Sequence, residues 1–186
     1  MKRSERSFAL VGASWSLRFE GNALKLLSRR AQRRWYQREA VGQLFTMDLT
    51  QPVITVDEAT VLKPTWSSWS GVGFDVTEAM RQREQLLSKG LHCIGIWHTH
   101  PEPNCSPSPT DARLAADHAK AARPVLNGLV FAIAGNRPFP DGWYIGVHDG
   151  TRFHRATTEN SEVESALSTQ PPAAPAALAV APAKRP

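Results

Sequence analysis

A short apolar run, Cys93 to Trp97, leads directly into His98-Thr99-His100-Pro101, and Ser108-Pro109-Thr110-Asp111 follows. The run fits a buried strand. Ser108 is a favoured helix N-cap, Pro109 suits the first helical position, and Asp111 puts an acid in the first turn. The segment therefore reads as strand, loop, helix. Side chains alternate faces along a strand, so His98 and His100 point the same way and Thr99 points away. Two imidazoles on one face can share a metal ion, and a carboxylate from the next helix adds a third ligand. Two His and one carboxylate with an open fourth position is a catalytic zinc arrangement. Such a site lowers the pKa of a coordinated water toward neutrality and then needs a general base within reach.

Each piece alone also has a structural reading. His-x-His pairs occur on surfaces and in cores without metal. Ser108 to Asp111 is first of all a helix cap. The combination is more informative than its parts.

The rest of the chain alternates strands and helices. Leu24, Leu27, Ala31 and Trp35 recur at spacings of three and four, one apolar stripe of a helix. Ala40 to Met47 and the β-branched stretch Val53 to Leu62 read as strands. Lys63 to Phe74, rich in Trp, Ser and Gly, reads as a loop. Asp75 caps a second helix, with Glu78 three residues on and a stop near Lys89-Gly90. Gly128 to Ala134 and Trp143 to His148 read as two more strands. The sum is a mixed α/β (α+β) sheet with helices packed on it. From about Thr157 the composition shifts, and a Pro/Ala segment runs from Gln170 to Pro186. It lacks the apolar surface to offset its ordering entropy. A domain over 1–156 and a disordered tail over 157–186 are expected.

With 41% hydrophobic and 21% charged residues, the 186-residue chain can bury one ordinary core. Two cysteines are too few for a disulfide framework and fit a reducing cytoplasm. The basic N-terminus has no long apolar run, so neither a signal peptide nor a membrane span is expected. The net charge of +5 gathers from Lys25 through Arg29, Arg30, Arg33 and Arg34 to Arg38. This reads as a solvated helix face, with an acidic protein or a nucleic acid as the alternative partner. Cys105, between the histidines and Ser108, reads as a free loop thiol, because a fourth protein ligand would close the metal site. His92, His118, His148 and His154 have no partner pattern.

A glutamate upstream, His98-Thr99-His100, seven residues beginning with Pro101, Ser108, two residues and Asp111 together resemble the JAMM (MPN-plus, JAB-type) zinc metalloprotease signature, with no position missing. The flanks agree: Gly90-Leu91 through Gly95-Ile96-Trp97 is similar to the family's strand into the metal site. Glu39, followed by Gly42 and Leu44-Phe45, is similar to its glutamate strand. The resemblance spans roughly residues 19 to 150. It implies an MPN/JAB, cytidine-deaminase-like three-layer fold, with a mixed central sheet flanked by helices. It also implies Zn2+ on His98, His100 and Asp111. Glu39 would act as the base that passes a proton to the leaving amine. Ser108 would donate to the developing oxyanion, a contribution on the order of 3 kcal/mol.

The family cleaves after the C-terminal tail of ubiquitin or a ubiquitin-like protein. Such a tail can add as a strand beside a sheet edge, with Trp66 and Trp69 as aromatic anchors or as simple loop packing. Trp97 belongs to the buried strand. A small standalone domain resembles the bacterial deubiquitinase-like branch, encoded beside ubiquitin-like, activating-like and conjugating-like proteins in antiviral defence operons. A branch that trims sulfur-carrier proteins is the nearest alternative within the family. A DNA-repair branch has Asn between its histidines and a Pro-Ser-Gly continuation, from which Thr99 and Pro101-Glu102-Pro103 depart. Outside the family pattern stand a non-catalytic MPN-like scaffold, a nucleic-acid-binding module and a zinc amidohydrolase of small molecules.

Overall fold

A computed structural model of the protein describes residues 6–34, 36–67 and 72–158. Trp35, Trp69 and the expected tail beyond residue 158 lie outside the described residues. The strands are β1 (Arg6–Leu10), β2 (Ser16–Phe19), β3 (Val41–Thr46), β4 (Val53–Val56), β5 (Glu58–Ala59), β6 (Pro64–Ser67), β7 (Val72–Phe74), β8 (His92–Thr99), β9 (Leu129–Ala134), β10 (Tyr144–His148) and β11 (Phe153–Thr158). The helices are α1 (Gly21–Arg30), α2 (Val76–Leu87) and α3 (Pro109–Ala122). Nine strands form one mixed sheet in the order β4-β2-β1-β11-β10-β9-β8-β3-β5. β8 and β9 pair in parallel. A parallel pair needs a long crossover, and α3 supplies it.

Side-chain alternation splits β9 between two cores. Val130, Ala132 and Ala134 join the cluster that receives Ala23 and Leu27 of α1. Leu129, Phe131 and Ile133 face the cluster that receives Ala115 and Ala119 of α3. Ala79 of α2 packs with Val41 and Leu62. The result is the expected three-layer mixed α+β architecture, with helices on both faces of the sheet. No helix among the described residues is long and apolar enough to cross a membrane.

Several details differ from the sequence reading. Lys63 to Phe74, read as a loop, contains the hairpin β6–β7. Strands β1, β2 and β11 add an edge that local pattern did not announce, and β11 runs across the expected boundary at residue 156. The basic stretch is not one helix face. α1 stops at Arg30, and the following turn is held by Gln37 Oε1, which accepts from the backbone N–H groups of Arg33 and Arg34 at 2.7 and 2.8 Å.

Gly42 on β3 shows why its strand carries a glycine. Trp97 of β8 lies over it and donates its indole N–H to Thr60 O at 2.9 Å. A Cβ at position 42 would sit 1.8 Å from that carbonyl and 2.6 Å from the indole nitrogen. Gly42→Ala is therefore expected to destabilise the fold by about 1–3 kcal/mol through overpacking. Thermal denaturation would read it as a lowered melting temperature, and an unchanged one would contradict this packing.

Candidate metal centre

β8 delivers the two histidines. Its side chains alternate, so Ile96 and His98 face α3 while Trp97 and Thr99 face the α1 side. His100 lies just past the strand end. Its backbone N–H donates to Ala134 O at 3.1 Å, and Asn136 Nδ2 donates to Pro101 O at 2.5 Å. These bonds pin the turn to the end of β9. α3 delivers the carboxylate. Ser108 Oγ accepts from the Asp111 N–H at 3.1 Å, and Asp111 Oδ2 accepts from the Ser108 N–H at 2.8 Å, a reciprocal capping box. The cap fixes the Asp111 side chain with Oδ1 3.3 Å from His98 Nε2.

His98 Nε2 and His100 Nε2 are 3.0 Å apart, and Asp111 Oδ2 is 3.8 Å from His100 Nε2. One ligand atom from each of the three residues lies within 4.8 Å of the others. A tetrahedral zinc with bonds of about 2.0–2.2 Å holds its ligand atoms about 3.3–3.6 Å apart. The observed spacing and the donor set fit such an ion. Burial, first, and His100 push the His98 imidazole well below its ordinary range against the pull of Asp111. Neutral imidazole is the form that ligates metal. The outer nitrogen of His100, Nδ1, is buried without a hydrogen bond, and Glu102 Oε2 stands 3.7 Å away. A carboxylate there is the usual second partner of a metal-binding histidine.

Glu39 sits just ahead of β3, 5% exposed, with Oε1 3.8 Å from His100 Nε2. Burial, then the carboxylates of Asp111 and Glu102, raise its pKa to about 8. A cation among these carboxylates would offset that penalty. The main chain at Glu39 is held from two sides. Ser67 Oγ of β6 donates to Glu39 O at 2.9 Å. Behind it, Thr99 Oγ1 accepts from the Ala40 N–H at 3.0 Å and donates to Gln32 Oε1 at 3.1 Å. Thr99 N–H also donates to Ala40 O at 3.0 Å.

Gln32 and Thr99 thus position Glu39 from the α1 side. Sequence reasoning placed Thr99 away from the metal but found no role for it or for Gln32. Thr99→Val keeps the shape and removes the hydroxyl, leaving the Ala40 N–H short of a partner at about 1–3 kcal/mol. The expected result is a lower melting temperature and a lower kcat, with metal content unchanged. Thr99→Ser should restore both, and wild-type behaviour of Thr99→Val would remove the positioning role.

The three metal-type residues and Glu39 open onto a cleft of about 470 Å³, also bordered by Ser108, Leu114 and Trp66. The Ser108 hydroxyl oxygen is occupied as acceptor by the helix cap, so its proton is available to a group in the cleft. Trp66 is 58% exposed, and its indole stacks against Gly73 of the facing strand. Trp97 is fully buried, as expected. Cys105 is buried beside Gly135 and is not part of the ligand group. Burial, then Glu102 and Glu39, push its thiol up to about 12. Of the other histidines, His118 stacks on Phe74, and His154 Nε2 lies 2.8 Å from Asp149 Oδ2.

The sequence profile of the family described as prokaryotic homologs of the JAB domain matches residues 22–159. No curated protein matches the chain. The solution structure of protein DSY2949 from Desulfitobacterium hafniense superposes with a TM-score of 0.53 at 20% identity, covering 70% of this chain and 82% of that one. At that identity the likeness speaks for the fold.

Proposed function

The chain belongs to the family of prokaryotic JAB-domain proteins, and from that premise we propose that it is a zinc-dependent metallopeptidase of the JAMM type. Its substrate on this reading is the amide or isopeptide bond that follows the C-terminal tail of a ubiquitin-like modifier. The observation that carries the reading is the meeting of His98, His100 and Asp111 within 4.8 Å, with a buried Glu39 beside them in an open cleft.

His98, His100 and Asp111 would hold the zinc, which when bound would supply Lewis acidity and lower the pKa of a coordinated water. Glu39 Oε1 accepts the proton of the attacking water and later delivers it to the leaving nitrogen. The Ser108 O–H, free to donate while its oxygen caps α3, stabilises charge on the carbonyl oxygen. Trp66 borders the cleft from β6, the hairpin strand whose Ser67 is bonded to Glu39 O. An extended tail can lie along this border, with the indole as its anchor and main-chain bonds to a strand edge. The complete motif set supports an active enzyme, and the resemblance of the small domain suggests the bacterial deubiquitinase-like branch. The setting would then be a cytoplasmic conjugation system for antiviral defence, with activating-like and conjugating-like partners.

The test uses the zinc-loaded chain, a ubiquitin-like protein with a C-terminal extension, and a short acyl amide. Cleavage after the last residue of the ubiquitin-like protein, lost on chelation, is expected. Turnover of the short amide with the fusion left intact would instead mark a small-molecule amidohydrolase. Cleavage that survives complete chelation would remove the metal mechanism.

A further inference from the structure

The arginines around the end of α1 have no part in the chemistry above. Arg29, Arg30, Arg33, Arg34 and Arg38 are all exposed. Among the described residues none lies within salt-bridge distance of a carboxylate, and the arginine ion pair there is Arg81 with Glu78. Arg34 Nη1 donates to the Tyr36 hydroxyl at 2.7 Å, and Arg38 Nη1 to Ser67 O at 3.4 Å. Neither bond neutralises charge. Because α1 stops at Arg30, the charges wrap around a turn instead of running along a helix. Arg29, Arg30 and Arg38 border a cavity of about 370 Å³ together with Ala40, Leu62 and Pro64.

Glu39 borders both this cavity and the metal cleft. The two hollows share that segment as a wall. On the cleft side stand Glu39, Glu102 and Asp111, and on the other side three guanidinium groups with no carboxylate partner among the described residues.

We propose that this cavity is an exosite for an acidic segment of the protein whose amide bond enters the metal cleft, an inference that rests on the peptidase reading. Guanidinium forks match carboxylates in bidentate geometry. The shared wall would set the acidic segment of a bound chain close to the bond that enters the cleft. A nucleic acid fits less well. Its backbone needs an extended track of cations, and here the arginines are gathered around one turn.

Fluorescence anisotropy with the metal-free full chain tests this without catalysis. The probe is a labelled Glu/Gly peptide at about 50 mM salt, where surface charges are weakly screened. A Gln/Gly peptide of equal length is the control. The triple variant Arg29→Gln, Arg30→Gln, Arg38→Gln is expected to bind the acidic peptide about tenfold more weakly or worse. Arg152→Gln, at an exposed turn elsewhere, should bind as the wild type does. Equal binding by the triple variant overturns the exosite. So does a single-stranded oligonucleotide that outbinds and displaces the peptide. Arginine-dependent peptide binding in a chain that cleaves nothing would retain the site and remove the peptidase reading, so the two failures are distinguishable.

Discussion

Glu39→Gln is expected to cut turnover of a ubiquitin-like fusion by about 10²–10⁴-fold, the usual contribution of a positioned general base, while zinc content stays at the wild-type level. The substitution is isosteric. The bonds that hold the segment run to Glu39 O and to the Ala40 N–H, and both survive it. Only the proton acceptor is lost. Removing the carboxylate also relieves its repulsion with Asp111 and Glu102, so the variant should melt no lower than the wild type. Metal analysis beside a cleavage assay separates the cases. Unchanged turnover would take the base role away from Glu39, and loss of zinc would make it a ligand instead.

Asp111→Ala should have the other large effect, because one side chain serves two purposes. It supplies the carboxylate beside His98, and it closes the capping box of α3 through the Ser108 N–H. Outer partners of a metal site are worth about 10–100-fold in affinity, so loss of an inner ligand should weaken zinc binding by more than about 100-fold. Loss of the cap adds about 0.5–2 kcal/mol of destabilisation. Ser108→Ala separates the two effects. It removes the side-chain half of the cap and the oxyanion donor but leaves the ligand set, so zinc should remain while kcat falls. Tight zinc binding by Asp111→Ala would break the proposed ligand set.

The elements that frame the centre were legible because their signals are local. Asp75 and Ser108 announce α2 and α3 as caps, and Asp75 Oδ1 accepts from the Thr77 N–H at 2.8 Å as a cap should. The uninterrupted apolar runs of β8 and β9 read as buried strands because both faces of the sheet are covered. Strands β1 and β11 were not legible. Phe153–Thr158 is mostly polar, which masks its pairing with the adjacent β10, and its other partner, β1, lies at the other end of the described chain, with Leu10 opposite Ala156. Pairing at that separation leaves no local period to read. The β6–β7 hairpin was hidden by its Trp, Ser and Gly content, which resembles loop composition. Within the centre, alternation alone put His98 and His100 on one side. Glu39 required the family resemblance, since no spacing connects it to the histidines. Gln32 and Thr99 are ordinary polar residues until the fold brings them to the back of the Glu39 segment.

X-ray absorption at the zinc edge, on the purified full chain, tests the central claim most directly. The account predicts about one zinc per chain with two imidazole nitrogens at about 2.0–2.1 Å, oxygen in the remaining positions, and no sulfur. A chain that takes up no zinc, or a zinc–sulfur distance of about 2.3 Å that reports Cys105 as a ligand, would contradict it.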